Sequence, residues 1–247
     1  MLSDVERKKR EAAHFFVERL NERAGDLILK VILFGSVARG EAGEESDIDI
    51  LVYAKDVDKV REICVDLQLE TWIIFREPVE YLVYPISYLR KRLFFIRRKE
   101  VLFEMEEEEI RYEEARGLYE LACEFLEGAK DNLERGNLRI SLDAAYNAAE
   151  LCAKALIIIA GGNIPGSHGG IVSEFGRIYV MSGEISRDIG RKLSHALEMR
   201  GRARYETSAD IRREDALIVI ELAEKMIKIL EERIEMMRIR LRHSINK

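Results

Sequence analysis

The stretch from Lys30 to Tyr53 reads KVILFGSVARGEAGEESDIDILVY and decides how the first half of the chain folds. It begins with the apolar run 31–34, which is typical of a strand buried on both faces. Gly35 and Ser36 follow directly. A glycine lets the backbone approach a phosphate closely, and the serine hydroxyl and the next amides can donate hydrogen bonds to it. The pattern predicts a strand that leads into a phosphate-binding turn.

Two aspartates, Asp47 and Asp49, alternate with apolar residues beyond this turn. Because side chains alternate along a strand, we expect both carboxylates on one face, while Ile48, Ile50 and Val52 enter the core. Neighbouring carboxylates repel each other, and a divalent cation removes that repulsion. Mg²⁺ prefers carboxylate oxygens together with substrate phosphates. The residues therefore predict a nucleotide site; an acidic surface hairpin, the alternative, leaves the flanked pair unexplained.

The order of these motifs resembles the signature of the DNA polymerase β nucleotidyltransferase superfamily. Gly-Ser-x-Ala-Arg-Gly-Glu over 35–41 and Ser-Asp-Ile-Asp over 46–49 are similar to its minimal nucleotidyltransferases in particular. The resemblance implies Mg²⁺, as one or two ions, and ATP or another nucleoside triphosphate. It also implies transfer of a nucleoside monophosphate to a hydroxyl. Whether the acceptor is a protein, an RNA end or a small molecule stays open.

The resemblance implies a role for each residue of the stretch. Asp47 and Asp49 would be catalytic and would bind the metal that bridges the triphosphate. Gly35 and Ser36 would hold the β- and γ-phosphates. Arg39 follows the turn, where an arginine either holds a phosphate or braces the loop against an acidic neighbour.

A third carboxylate is expected on the next strand of the superfamily's sheet. Glu80, inside the predicted strand 79–84, matches that position, although the family more often has an aspartate there. It would bind a second metal or help to deprotonate the acceptor hydroxyl. Glu77 is the alternative third carboxylate.

The resemblance to the superfamily implies that the first half is an α+β domain with a small mixed sheet. Helices are expected over 3–24, where Ser3 and Glu6 form a capping box, over 56–70 and over 86–96, and a last strand over 97–105. Residues 71–75 fit either a strand or a helix end. The acidic run 106–109 is interpreted as a solvated joint. We therefore expect domains over 1–105 and 106–247.

The second half resembles a HEPN domain, a five-helix bundle often fused to minimal nucleotidyltransferases. The resemblance rests on the segment 141–150, the loop Ile-Pro-Gly-Ser-His-Gly over 164–169, Phe175, and Arg200-x-x-Ala-x-Tyr205. Helices are expected up to Gly136 and over 138–160, 171–181, 186–205 and 210–242. His168 is interpreted as a loop cap.

The last predicted helix carries apolar residues at alternating steps of four and three, which is a seven-residue repeat. The repeat consists of Ala216, Ile220, Ala223, Ile227, Leu230, Ile234, Met237 and Leu241. Its seam packs along another helix, either of this chain or of a second protomer. We expect a homodimer through the helical domain.

HEPN ribonucleases carry an arginine followed, after four to six residues, by a histidine. Here Tyr205 follows Arg200 after four residues. A phenol titrates near pH 10 and is a poor general base at neutrality, so we do not expect RNA cleavage. Two alternative functions stay open: a non-catalytic nucleotide-binding regulatory or antitoxin-like module, and a HEPN protein that acts on RNA under control of the transferase domain.

The amino-acid composition narrows the range of partners and compartments that we expect for the protein. The net charge of −6 argues against a global nucleic-acid footprint, and the basic runs 90–92 and 97–99 are interpreted as solvated faces. The longest apolar run near the middle, 155–160, is too short to span a bilayer, and no signal peptide is visible. Three widely spaced cysteines indicate a reducing cytoplasm rather than a zinc or disulfide framework.

Overall fold

The computed structural model of the protein describes residues 3–89 and 99–245. The chain divides into two compact units, Met1–Ile110 and Arg111–Lys247. The first contains a β-sheet with helices, and every regular element that lies wholly in the second is helical, which confirms the predicted fold class. The domain boundary predicted near residue 105 lies close to this division and stays a prediction.

A four-stranded mixed sheet forms the centre of the first unit, in the order β3-β2-β1-β4. Strand β1 (Ile28–Phe34) pairs antiparallel with both β2 (Ile48–Ala54) and β4 (Glu100–Glu104). Strand β2 pairs in parallel with β3 (Val79–Pro85). Most side chains of β1 and β2 are buried on both faces, as the apolar runs of the sequence predict.

Among the described residues of the first unit, three α-helices pack with the sheet: α1 (Asp4–Ala24), α2 (Gly35–Arg39) and α3 (Val57–Phe75). The predicted capping box starts α1, because the Glu6 amide donates to Ser3 Oγ and the Ser3 amide donates to the Glu6 carboxylate. Apolar residues of α1 and α3 pack on one face of the sheet. A smaller cluster around Leu29 and Leu51 covers the other face.

Several predicted boundaries of the first unit differ from the structure. Residues 71–75 continue α3, so the helix-end interpretation was the right one. Residues Ile86–Tyr88 form a 3-10 turn, and most of the predicted helix 86–96 lies outside the described residues. The basic run 90–92, and 97–98 at the start of the second basic run and of the predicted last strand, also lie outside them.

The second unit is a bundle of five helices, as predicted. They are α4 (Glu107–Glu134), α5 (Leu138–Ile159), α6 (His168–Phe175), α7 (Arg187–Tyr205) and α8 (Arg213–Ile245). A π-helical turn, Gly176–Val180, continues α6. All but the first residue of the acidic run 106–109 form the first turn of α4, next to the division of the chain at Ile110, and its interpretation as a joint stays a prediction. Carboxylates are favourable there beside the helix dipole.

The heptad seam of α8 packs within the chain. Five residues of that seam are buried, and α8 lies along α5, the most buried helix of the bundle. The three others, Ile227, Ile234 and Leu241, are half-buried. The homodimer through the helical domain stays a prediction, and the seam does not support it.

Two further sequence expectations concern membrane spans and disulfide bonds. Within the described ranges, the structure holds no helix of the length and apolarity that a membrane span requires. The thiols of Cys64, Cys123 and Cys152 are free, in agreement with the expected absence of a disulfide framework.

Candidate active site

The sheet brings the predicted catalytic carboxylates to one place. In the parallel register, Asp49 of β2 lies beside Glu80 of β3, and in the antiparallel register it lies opposite Phe34, the last residue of β1. Asp47 directly precedes β2 rather than belonging to it, and it is half-buried. We call Asp47, Asp49 and Glu80 the carboxylate cluster. It lies where β2 and β3 begin and β1 ends.

The turn after β1 is in direct contact with this cluster. Gly35 has a φ of +71°, in the left-handed region that favours glycine, and starts the short helix α2. A Cβ atom on Gly35 would lie 1.7 Å from Asp49 Oδ2, far inside a van der Waals contact. The sequence predicts a glycine here for the close approach of a phosphate. The structure adds that the Asp49 carboxylate already requires it.

Burial and like charges dominate the electrostatics of the cluster. Burial raises the pKa of Asp49, and the neighbouring Glu80 and Asp47 carboxylates raise it further, while Arg39 opposes them. Among the described residues, no hydrogen bond or ion pair engages the three carboxylates. Arg39 forms an ion pair with Glu41 (Nε to Oε2, 2.6 Å), which is the bracing contact that the sequence left open.

The cluster fits a divalent cation that a substrate helps to hold. Within residues 3–89 and 99–245, no three acidic, histidine or cysteine side chains are placed so that they could hold a metal ion by themselves. This holds for the carboxylate cluster as well. Mg²⁺, however, usually binds through one or two carboxylates together with substrate phosphates and water. A cation would also relieve the repulsion that raises the pKa of Asp49.

A small cavity opens beside the cluster. It has a volume of about 250 Å³ and is lined by Phe34, Asp49, Glu80, Tyr81 and Leu82. Two acidic and two aromatic residues thus line one space, and the Gly35 turn lies against one of the acidic residues, Asp49. The arrangement can present anionic oxygens to a metal and apolar surface to a ligand.

Glu77, the alternative third carboxylate, is engaged elsewhere. Its side chain is buried and forms ion pairs with Lys9 and with Lys8, the second at 2.9 Å. Burial alone would raise the pKa of Glu77, but hydrogen bonds from both lysines hold it below its ordinary value. The structure therefore brings Glu80, and not Glu77, beside Asp49.

Sequence reasoning missed Lys9. This lysine is fully buried and bonds to the backbone just before Asp47. The signal was present, because Lys9 lies one helical turn before Ala12 and Ala13, and two turns before Phe16, on the apolar face of α1. A charge within an apolar stripe indicates a buried polar contact.

The motif residues of the helical unit are arranged as a packed structural network. Arg200 is buried, donates to Asp143 Oδ1 at 3.1 Å and lies over the ring of Tyr146 at 5.6 Å. Tyr205 is 73% exposed. His168 begins α6, where Ser167 is the capping residue, and its Nδ1 bonds to the buried Glu150 carboxylate.

Two different family models match the two parts of the chain. A model of the nucleotidyltransferase domain matches residues 16–116, and a model of the HEPN domain matches residues 115–233. A Methanocaldococcus jannaschii protein named "Putative protein adenylyltransferase" is 44% identical over 66 residues, which cover 26% of this chain and 66% of that protein. A second protein of that name and organism is 48% identical over 46 residues and is covered over 31% of its length.

The helical unit has relatives of its own. A protein of the same organism named "Putative toxin" is 32% identical over 120 residues, which cover 47% of this chain and 89% of that protein. The solved HEPN domain protein of Thermotoga maritima is 26% identical, with a TM-score of 0.36, and the match covers 47% of this chain and 95% of that one. The chain therefore belongs to the nucleotidyltransferase and HEPN families, with a nucleotidyltransferase domain followed by a HEPN domain.

Proposed function

We propose that the protein transfers the adenylyl group of ATP, with Mg²⁺, to a hydroxyl group of a protein. The observation that carries the proposal is the convergence of three unpaired carboxylates beside the Gly35 turn. The names of the two adenylyltransferase relatives support ATP as the donor and a protein as the acceptor.

Each residue of the site has a part in the proposed reaction. Asp47 and Asp49 hold the metal, and the backbone of Gly35 with the Ser36 hydroxyl holds the β- and γ-phosphates. The acceptor oxygen forms a bond to the α-phosphorus while the bond from that phosphorus to the β-phosphate oxygen breaks, and pyrophosphate leaves. The hydroxyl proton passes to Glu80, which lies across the strand pair from Asp49.

Bound Mg²⁺ supplies charge neutralisation of the phosphates and of the leaving group. The protein then supplies position rather than covalent chemistry, because carboxylates fixed by neighbouring strands need little rearrangement during the reaction.

The test is incubation of the full chain with ATP labelled at the α-phosphorus, Mg²⁺ and candidate protein acceptors. We expect label in the protein fraction, none with label at the γ-phosphorus, and none when Mg²⁺ is chelated. Mass spectrometry of the labelled protein identifies the acceptor. Tyr205, as an exposed phenol, is a candidate within the chain itself. Nucleotide binding without any transfer of label would contradict the proposal and favour a regulatory module.

A further inference from the structure

Lys9 is a buried charge on an otherwise apolar helix face. It lies in α1 with a side chain that has no solvent exposure. A buried ammonium group destabilises a fold unless it is paired and hydrogen-bonded. The contacts of Lys9 therefore indicate the role of its charge.

The ammonium group of Lys9 has three donors, and three acceptors surround it. It donates to the backbone carbonyl of Ser46 at 2.7 Å, to that of Glu44 at 3.3 Å, and to the Glu77 carboxylate. We call these four residues the Lys9 clamp. All of its contacts bridge segments far apart in the chain, so the clamp fixes tertiary geometry rather than a helix end.

The Lys9 clamp has two arms: one joins Lys9 to the carbonyls of Glu44 and Ser46, and the other joins it to Glu77. Both arms end next to the proposed metal ligands. Ser46 directly precedes Asp47, and Glu77 lies three residues before Glu80. Between the arms, the Ile48 amide donates to the Pro78 carbonyl at 2.9 Å, which begins the pairing of β2 with β3. The clamp therefore joins the two chain segments that lead into the carboxylate cluster.

We propose that Lys9 is a positioning residue, which holds Asp47 and Glu80 at the separation that the metal and its triphosphate require. The inference rests on the proposed function. The clamp contacts backbone before Asp47 and a carboxylate before Glu80, and it touches neither ligand. Its loss lets the two segments move apart while the ligands themselves stay intact.

The chain offers a matched control. Lys8 bonds to the other oxygen of Glu77 at 2.9 Å, but it is half-exposed, and its described contacts do not include the loop before Asp47. Lys9→Met and Lys8→Met remove the same charge from the same carboxylate, and only the first releases the carbonyls of Glu44 and Ser46. A difference between the two variants therefore reports on the loop and not on Glu77.

The experiment measures the Mg²⁺ dependence of adenylyl transfer in the full chain, well below the melting temperature of each variant. We expect Lys9→Met to raise the Mg²⁺ concentration for half-maximal rate by about 10–100-fold, as is typical when a residue that orients metal ligands is lost. Excess Mg²⁺ should restore much of the rate, which it would not do for a variant that is merely unstable. Lys8→Met should resemble the wild type.

Calorimetric titration of Mg²⁺ with a non-hydrolysable ATP analogue gives a readout without catalysis. The same order of affinities is expected: wild type and Lys8→Met together, Lys9→Met weaker. If Lys9→Met does not fold, Glu77→Gln, which keeps an acceptor but removes its charge, should show a smaller shift in the same direction. Equal Mg²⁺ affinity in all variants overturns the clamp. Absence of transfer in the wild type overturns the proposed function alone, because the titration still tests the clamp.

Discussion

The carboxylate cluster of the first unit and the buried Glu150 of the helical unit have opposite electrostatic surroundings. In the helical unit, the buried Glu150 accepts from Tyr146 at 2.9 Å and from Lys154 at 2.8 Å, and it bonds to His168. Burial would raise the pKa of Glu150, but these partners hold it below its ordinary value. In the carboxylate cluster, by contrast, the pKa of Asp49 is raised.

The difference indicates what each group is for. A carboxylate with protein partners on both oxygens stabilises the fold when ionised, and it leaves no room for a ligand. A carboxylate that is buried beside two others costs stability when ionised, and it gains a partner only when a cation arrives. The contacts of Glu150 with Tyr146, Lys154 and His168, which we call the Glu150 network, are therefore structural, and the carboxylate cluster is the candidate site.

The largest effect is expected from neutralising the cluster. Asp47→Asn and Asp49→Asn each remove a metal ligand and should slow transfer on the order of a hundredfold to a thousandfold. Asp49→Asn should also raise the melting temperature without Mg²⁺, because it removes like-charge repulsion. Initial rates and thermal melts measure both. Transfer at the wild-type rate in both variants would refute the metal assignment.

The Gly35 turn should matter next most. Mg²⁺ with ATP should raise the melting temperature more than AMP does, and a hundredfold excess of ATP over its Kd should add about 2.7 kcal/mol to the free energy of unfolding. Gly35→Ala should abolish this gain, because its Cβ would displace the Asp49 carboxylate, and Ser36→Ala should weaken it. Gly43→Ala is the control, since a Cβ there meets nothing within 4 Å. Equal stabilisation by AMP and ATP would mean that the turn does not bind the distal phosphates.

Breaking the Glu150 network should affect stability rather than transfer. Glu150→Ala leaves the Tyr146 hydroxyl without its acceptor and should lower the free energy of unfolding by about 1–3 kcal/mol. Chemical denaturation measures this, with the exposed pair of Glu174 and Arg177 as control, where Glu174→Ala should cost less. The transfer rate well below the melting temperature should stay unchanged. A loss of transfer equal to that of Asp49→Asn would show that the two groups are not separate in function.

The pH dependence should separate the two groups further. Because the pKa of Asp49 is raised, protons compete with Mg²⁺ at a higher pH than for an ordinary aspartate, and Mg²⁺ affinity falls as pH falls through that pKa. The stabilisation from Glu150 is present above its unfolded-state pKa and is lost only as pH falls through its lowered folded-state pKa. On acidification, Mg²⁺ binding should therefore fail before the fold does. Titration calorimetry and circular dichroism over one pH series decide the order.

The last expectation is that the protein does not cleave RNA. Arg200 is committed to Asp143 and Tyr146, and the exposed Tyr205 is no general base near neutrality. Transfer RNA and messenger RNA incubated with the full chain should stay intact. Cleavage that disappears in Arg200→Ala would instead establish a ribonuclease.

The sequence by itself predicted most of the elements and most of the residues of the candidate site. The strand, turn and strand of 30–53, the two aspartates and the five helices follow from local patterns: apolar periods of two and of about 3.6, glycines at turns and contiguous motifs. Such patterns act over a few neighbouring residues, so a single sequence carries them. The α+β class and the mixed sheet followed from the families that those motifs resemble.

Only the tertiary structure decided which distant residues meet. The register of β2 on β3 places Glu80, rather than Glu77, beside Asp49, and the crossing of α1 over the loop gives Lys9 its acceptors. In the same way, α5 packs along the seam of α8. Each of these contacts joins segments that are far apart in the sequence. Their choice depends on strand register and helix packing, which local periodicity does not encode.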